Sequence, residues 1–411
     1  MNPRERVLAT LNHQEPDRVP LDCGSTVVTG VGAVAYSRLK RHLGIEGGQA
    51  QVYNMMMQIV LPEQWYLDRF EVDVVDLSRV FCEDPDEWVD WDLPEGYPGK
   101  APAWVHLEES DGEWLHRDSE GEVIGKMPVG GYYFDQTYYP MADPVPGDVD
   151  DLDHQLGKVW TTTMAVPRPG ADDEPGFYDA IERKARRLFE ETDYAIVANF
   201  NASLFEISQR LFRHDNFFTN LVLDRPRIEA VLDGLTERYI AEAERFLPRI
   251  APYVQVVRVA DDLGMQIGPQ ISPKMFHEVF QPRYKAIYDA IKKHSGAKLF
   301  LHSCGSIYDL LPDLIDAGVD IINPVQTSAA DMDARRLKDE FGDDLVFWGG
   351  GCDSQSVLAV GTPDDVRREV EQKMEIMAPG GGFVFCQVHN IMPETTPENI
   401  LAMYDAFAAR R

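Results

Sequence analysis

In the stretch Lys298–Gly305, KLFLHSCG, an apolar run of strand type stops at His302, Ser303 and Cys304. An imidazole and a thiol two residues apart, just past a buried strand, can both reach one soft cation. A second such run, 382–385, ends the same way at Cys386. If the fold brings the two strand ends to one sheet edge, His302, Cys304 and Cys386 make a zinc site of one nitrogen and two thiolates, with a position left open for a substrate. His389, three residues past Cys386, is a second candidate. It can ligate in place of Cys386, or it can orient a ligand or contact the substrate.

Other polar residues end strand-like runs. Asp261 and Asp262 close the run Val254–Ala260, and one of them can face the axis of a barrel. There it would orient a bound histidine or serve as a proton donor; the alternative is a helix cap. Asn199 and Gln266 offer amide hydrogen bonds to a substrate, and Asp22, Cys23 and Asp76 end early strands. Gly349–Gly351 permit a close backbone approach or a tight turn, and Cys352 beside them reads as packing.

These side chains need a scaffold that gathers strand ends. Eight short apolar runs stop at a polar or glycine residue: Arg18–Gly24, Val72–Asp76, Ala195–Asn199, Val254–Asp261, Lys298–Cys304, Asp320–Val325, Leu345–Gly349 and Gly382–Cys386. Amphipathic stretches such as Met275–His294, Ile307–Ala317 and Pro363–Met377 lie between them, the last opening on Thr362-Pro363. Eight alternating units predict an α/β fold, a (β/α)8 TIM-type barrel whose site lies at the C-terminal strand ends. Residues 83–156 break the alternation and are rich in Pro, Gly, Trp and Tyr. They are expected to form a small antiparallel β flap inserted between barrel segments 1–82 and 157–411, with Trp114–Pro128 as two strands around the turn Asp118–Gly121. The flap's aromatic residues serve either its own small core or a lid with an apolar or methylammonium pocket.

The 39 basic residues face 69 acidic ones, a net charge of −30 without an acidic tail. Such a field disfavours nucleic acid and anionic membrane surfaces. The odd count of five cysteines speaks for reduced thiols, no run of 18 apolar residues occurs, and the polar residues 1–20 are not expected to act as a signal peptide. A cytoplasmic enzyme follows as the expectation, with a homodimer as one open assembly.

The segments RERVLATLNHQEPDRVPLD (Arg4–Asp22), DDLGMQIG…DIINPVQ (Asp261–Gln326), FWGGGCDSQ (Phe347–Gln355) and PENILAMYDAF (Pro397–Phe407) resemble the uroporphyrinogen decarboxylase superfamily, and within it the corrinoid-linked methyltransferases. The resemblance implies a barrel holding zinc through His302, Cys304 and a later ligand, Cys386 or His389. It also implies that the partner is a corrinoid (cobalamin) protein, since this chain has no DxHxxG run. The implied reaction moves a methyl group between that cobalt and a small O-, N- or S-methyl compound or thiol. Two departures stand out. Leu21–Gly30 lacks the arginines with which decarboxylases receive porphyrin carboxylates, and the late loop FCQVHNIMPETTPENI is longer than the short PGCG-type loop of the coenzyme M enzymes. A decarboxylase, or a non-catalytic barrel that binds corrinoid or a small ligand, remains the alternative. Aromatics in the flap favour an aryl methyl ether or methylammonium donor, whereas Arg258, Arg283 or Lys298 would suit a sulfonate.

Overall fold

The computed structural model describes residues 1–144 and 147–411. At its centre seven parallel strands lie in the order Phe383–Val384, Val346–Trp348, Ile321–Asn323, Lys298–His302, Val256–Ala260, Ala195–Asn199, Val74–Asp76. Leu21 closes the ring. It bridges Phe385 in parallel, and its carbonyl accepts from the Asp73 N–H at 2.9 Å. The result is an eight-membered TIM-type barrel, as the alternation of runs predicts. The first member is reduced to a single bridge because Pro20 has no N–H to offer the ladder.

Strands buried on both faces need continuous apolar sequence, and these are rich in Val, Ile and Phe. Their inward positions recur with a period of two. Val74, Val197, Val256, Phe300, Ile321, Val346, Trp348, Val384 and Cys386 fill the interior as one cluster. Val7 and Leu11 of the helix Pro3–Leu11 join that cluster and close the N-terminal end. The helix is held by an Asn2/Glu5 capping box. Its buried Arg6 pairs with Asp73 at 2.6 Å and Asp17 at 2.7 Å.

Outside the barrel, Pro363–Met377 forms as one helix over its expected span, with a Thr362/Asp365 capping box. The expected helix Met275–His294 is instead three pieces: Pro273–Met275, a π turn Phe276–Phe280, and Gln281–Ser295. Pro282 explains the break, because a proline removes one N–H and clashes with the carbonyl four residues earlier.

Two small sheets, one antiparallel and one mixed, occupy the region expected to form the flap. Leu107–Ser110, Glu113–Arg117, Val123–Met127 and Asp135–Gln136 make one, with the Asp118 carboxylate accepting from the Glu120 and Glu122 N–H groups in the turn. Trp88–Asp92 and Pro98–Pro102 belong to the other, which is completed by Ala50–Asn54 and Ile59–Val60. That sheet therefore draws on residues before position 83, where short, mixed-polarity sequence gives little strand signal. Trp88 and Trp91 are buried, and Trp91 meets Trp114 edge-on at 5.9 Å. Among the described residues, no helix is long and apolar enough to cross a membrane.

Candidate metal centre

Along several strands the inward residue turns polar two positions beyond the apolar layer. Val74 gives way to Asp76, Val197 to Asn199, Val256 to Arg258, Phe300 to His302 and Ile321 to Asn323. His302 and Asn323 lie side by side in register. The Asn323 amide nitrogen donates to the Trp348 carbonyl at 2.8 Å, which turns its oxygen toward His302 Nδ1 at 2.6 Å. Nδ1 therefore carries the proton, and Nε2 keeps a free lone pair.

That lone pair faces a convergence of donors. Cys304 Sγ is 3.5 Å from His302 Nε2, and the ligand atoms of His302, Cys304 and His389 all lie within 4.8 Å of one another. A nitrogen and a sulfur bound to zinc at the tetrahedral angle sit ~3.5 Å apart, given usual Zn–N and Zn–S lengths. The residues present thus fit the ion. Asp262 stands beside them: its Oδ1 is 3.6 Å from His302 Nε2 and accepts from the Cys304 N–H at 2.8 Å. The Cys304 turn is held by backbone contact between two glycines. A Cβ on Gly264 would lie 2.5 Å from the Cys304 carbonyl oxygen, and one on Gly305, at φ +83°, would lie 2.6 Å from Gly264. His389 is fixed by Ser354, whose Oγ accepts from the His389 N–H at 2.9 Å. Its ring centre is 5.5 Å from that of His302.

The electrostatics favour neutral ligands. Burial pushes the His302 imidazole down to about 3, and burial also lowers His389. The Cys304 thiol is raised by burial and then by Asp262. Nearby, Glu206 is raised to about 7, first by burial and then by Asp262 and Asp261. The buried Arg258 acts on these groups inside the rim, and Arg210 pairs with Glu206 at 3.4 Å. Arg258 Nη1 donates to Asn201 Oδ1, and its Nε has no partner.

The structure distributes the expected site residues unevenly. Cys386 does not join the convergence. It lies fully buried in the barrel's apolar layer with Val384 and Trp348, and His389 takes the third place. Asp261 faces away from the metal ligands: it accepts from Ser203 Oγ, the N–H groups of Leu204, Phe205 and Glu206, and Tyr284 Oη, all at 2.5 to 2.7 Å. It therefore caps the helix Phe205–Phe212, and the catalytic role expected of it is withdrawn. Asp262 is the aspartate at the site.

Asp22 is buried and spent on Trp348 Nε1 and the Ser25 N–H. Asp76 caps the turn after its strand through Ser78 N–H at 2.6 Å, but its Oδ2 is buried without a partner and its carboxyl is raised to about 6 by burial. Asn199 donates to the Ser25 carbonyl and leaves Oδ1 unpartnered. Gln266 lies on the exposed hairpin Gly264–Pro269, which packs on the Cys304 turn, and it ties the hairpin to the Ser328 carbonyl. Asn323 and Glu206 were not singled out from sequence. Asn323 carries the same signal as its neighbours, a polar residue ending an apolar strand, whereas Glu206 has no local signal.

Comparison with known proteins adds the following. The model of the family "Uroporphyrinogen decarboxylase (URO-D)" matches residues 161–410. No curated protein matches the chain. Among solved structures, a methyltransferase from Methanosarcina mazei is similar over 100% of this chain and 99% of its own, with a TM-score of 0.60 and 18% identity. At that identity the likeness shows the fold. A GH10 endoxylanase from a sugarcane soil metagenome covers 57% of this chain and 84% of its own at 9% identity, with a TM-score of 0.33. That similarity is too slight to inform the site.

Proposed function

The chain belongs to the uroporphyrinogen decarboxylase (URO-D) family, and from that premise we propose a zinc-dependent methyltransferase that moves a methyl group between a small O-, N- or S-methyl compound, or a thiol, and the cobalt of a corrinoid carried by a separate protein. The carrying observation is the triad His302, Cys304 and His389, whose ligand atoms converge within 4.8 Å at the barrel rim. Zinc held there would supply Lewis acidity to the substrate's heteroatom. One thiolate and two neutral imidazoles leave a divalent ion with a net charge of +1, where two thiolates would leave none. This donor set is suited to a neutral ether or amine, and it leans the reading toward demethylation of a donor.

The remaining residues orient and shape. Asn323 fixes the His302 tautomer, and Asp262 holds the Cys304 turn by accepting from its N–H. Asp262 is also placed to exchange a proton with a leaving group at the rim. Decarboxylation of a porphyrin bearing many carboxylates is disfavoured by the arginines themselves. Arg6 and Arg18, beside the first barrel segment, both neutralise buried Asp73 at the closed end of the barrel.

Metal analysis of the purified protein tests the proposal. About one zinc per chain is expected in the parent, with most of it lost in His302→Ala, Cys304→Ser and His389→Ala. Zinc retained in all three variants would place the ligands elsewhere. Methylation of free cob(I)alamin, followed by absorbance with ethers, amines and thiols, then reads the reaction. Zinc without any such activity favours a binding barrel.

A further inference from the structure

A cavity of about 580 Å³ opens beside the strand end at Asn199. None of the three metal-centre residues lines it. Its inner wall is Asn199 and Phe200 at the end of their strand, and one side is the helix Arg225–Ile250, which presents Gly234, Arg238, Ala241, Glu242 and Arg245 at helical spacing. Gly234 gives room there, since a Cβ would meet Leu152 at 3.1 Å. A site of this volume takes a small organic molecule.

Its lining selects charge. Five carboxylates (Asp150, Asp151, Asp153, Asp172, Glu242) face two guanidiniums, for a net of −3. Both guanidiniums are engaged, Arg238 with Asp153 and Arg245 with Asp172 at 3.6 Å. Among the described residues, Glu242 makes no hydrogen bond and no ion pair within 4.0 Å; burial raises its carboxyl to about 7, with Arg238 and Arg245 opposing the shift from farther off. Asn199 directs its amide nitrogen to Ser25, so its unpartnered buried atom is an oxygen acceptor.

Rings complete the wall: Phe81 stacks on Phe177 at 6.1 Å, Phe177 meets Tyr178 edge-on at 5.3 Å, and Phe200 and Phe246 join them. No described guanidinium lies over any of these five rings. Aromatic faces attract cations, and quaternary ammonium groups above all. We propose that this cavity binds an alkylated ammonium cation, with Glu242 as its counter-charge and the Phe81–Phe177 pair against its methyl groups. The proposal does not rest on the metal-centre reading.

Choline and its uncharged isostere 3,3-dimethylbutan-1-ol distinguish charge from shape, by calorimetric titration of the full-length protein. Choline is expected to bind at least about tenfold tighter than the alcohol, because only the cation engages the rings and the carboxylate. Glu242→Gln should weaken choline at least about fivefold and leave the alcohol affinity and the zinc content unchanged. Phe177→Leu, which keeps an apolar wall, should weaken choline as well. Equal affinity of the two ligands, no choline binding, or unchanged choline affinity in both variants would overturn the assignment. So would choline binding lost in His302→Ala but kept in Glu242→Gln, since it would put the cation at the metal centre.

Discussion

The barrel's interior layer and its rim are built from the same strands, two residues apart, and they answer to opposite demands. In the layer, Phe300, Ile321 and Val346 are fully buried against one another, and every contact contributes to stability. At the rim, Asp76 Oδ2, Asn199 Oδ1 and Arg258 Nε are buried without partners, a state that costs stability and is kept where a ligand is to be received. The adjacent aspartates repeat the contrast in miniature. Asp261 is saturated by five donors, whereas Asp262 is a third exposed and leans on the metal ligands.

Substitution can break this division. Asp261→Ala is expected to have the largest effect, about 3–5 kcal/mol in chemical denaturation, because it strands buried donors. Asp262→Asn should change stability by less than about 1 kcal/mol and weaken zinc about tenfold. Equal stability losses at the two positions would dissolve the distinction.

Next in size is Asp76. Burial raises its carboxyl from the usual range to about 6, so the folded protein prefers it protonated. Stability is therefore gained as pH falls through about 6 toward 4, and the penalty is present in full above about 6. Asp76→Asn should stabilise the protein by about 1–3 kcal/mol at pH 8, with the gain fading below pH 5. A pH-independent difference in denaturation midpoint would show that the carboxyl is not desolvated.

The smallest effect belongs to Cys386→Ala, about 1 kcal/mol from lost packing. Its zinc content should match the parent. Loss of zinc would return Cys386 from the layer to the rim.

Much of the architecture was legible in the sequence. Ala195–Asn199 and Pro363–Met377 carry complete local signals, and the alternation of runs implied the closed ring. What escaped is set by distance. Cys386 shares its inward face with Val384 by the period of two, but which layer it occupies depends on the stagger of neighbouring strands, and no local pattern encodes that. His389 reaches His302 and Cys304 because its loop is pinned to Ser354, 35 residues earlier. Likewise parity placed one of Asp261 and Asp262 inward, but the capped helix begins more than 50 residues away in sequence. The division of the antiparallel region was drawn from composition alone, which gave no sign that Ala50–Asn54 would join it.

The helix stopper of Val7 and Leu11 has a consequence for traffic. With that end closed, the open rim is left for exchange, so under the proposed function reactant and product would use the same opening that a bulky methyl carrier would have to cover. If a separate carrier docks there as proposed, the small molecule would enter before the carrier arrives and leave after it retreats.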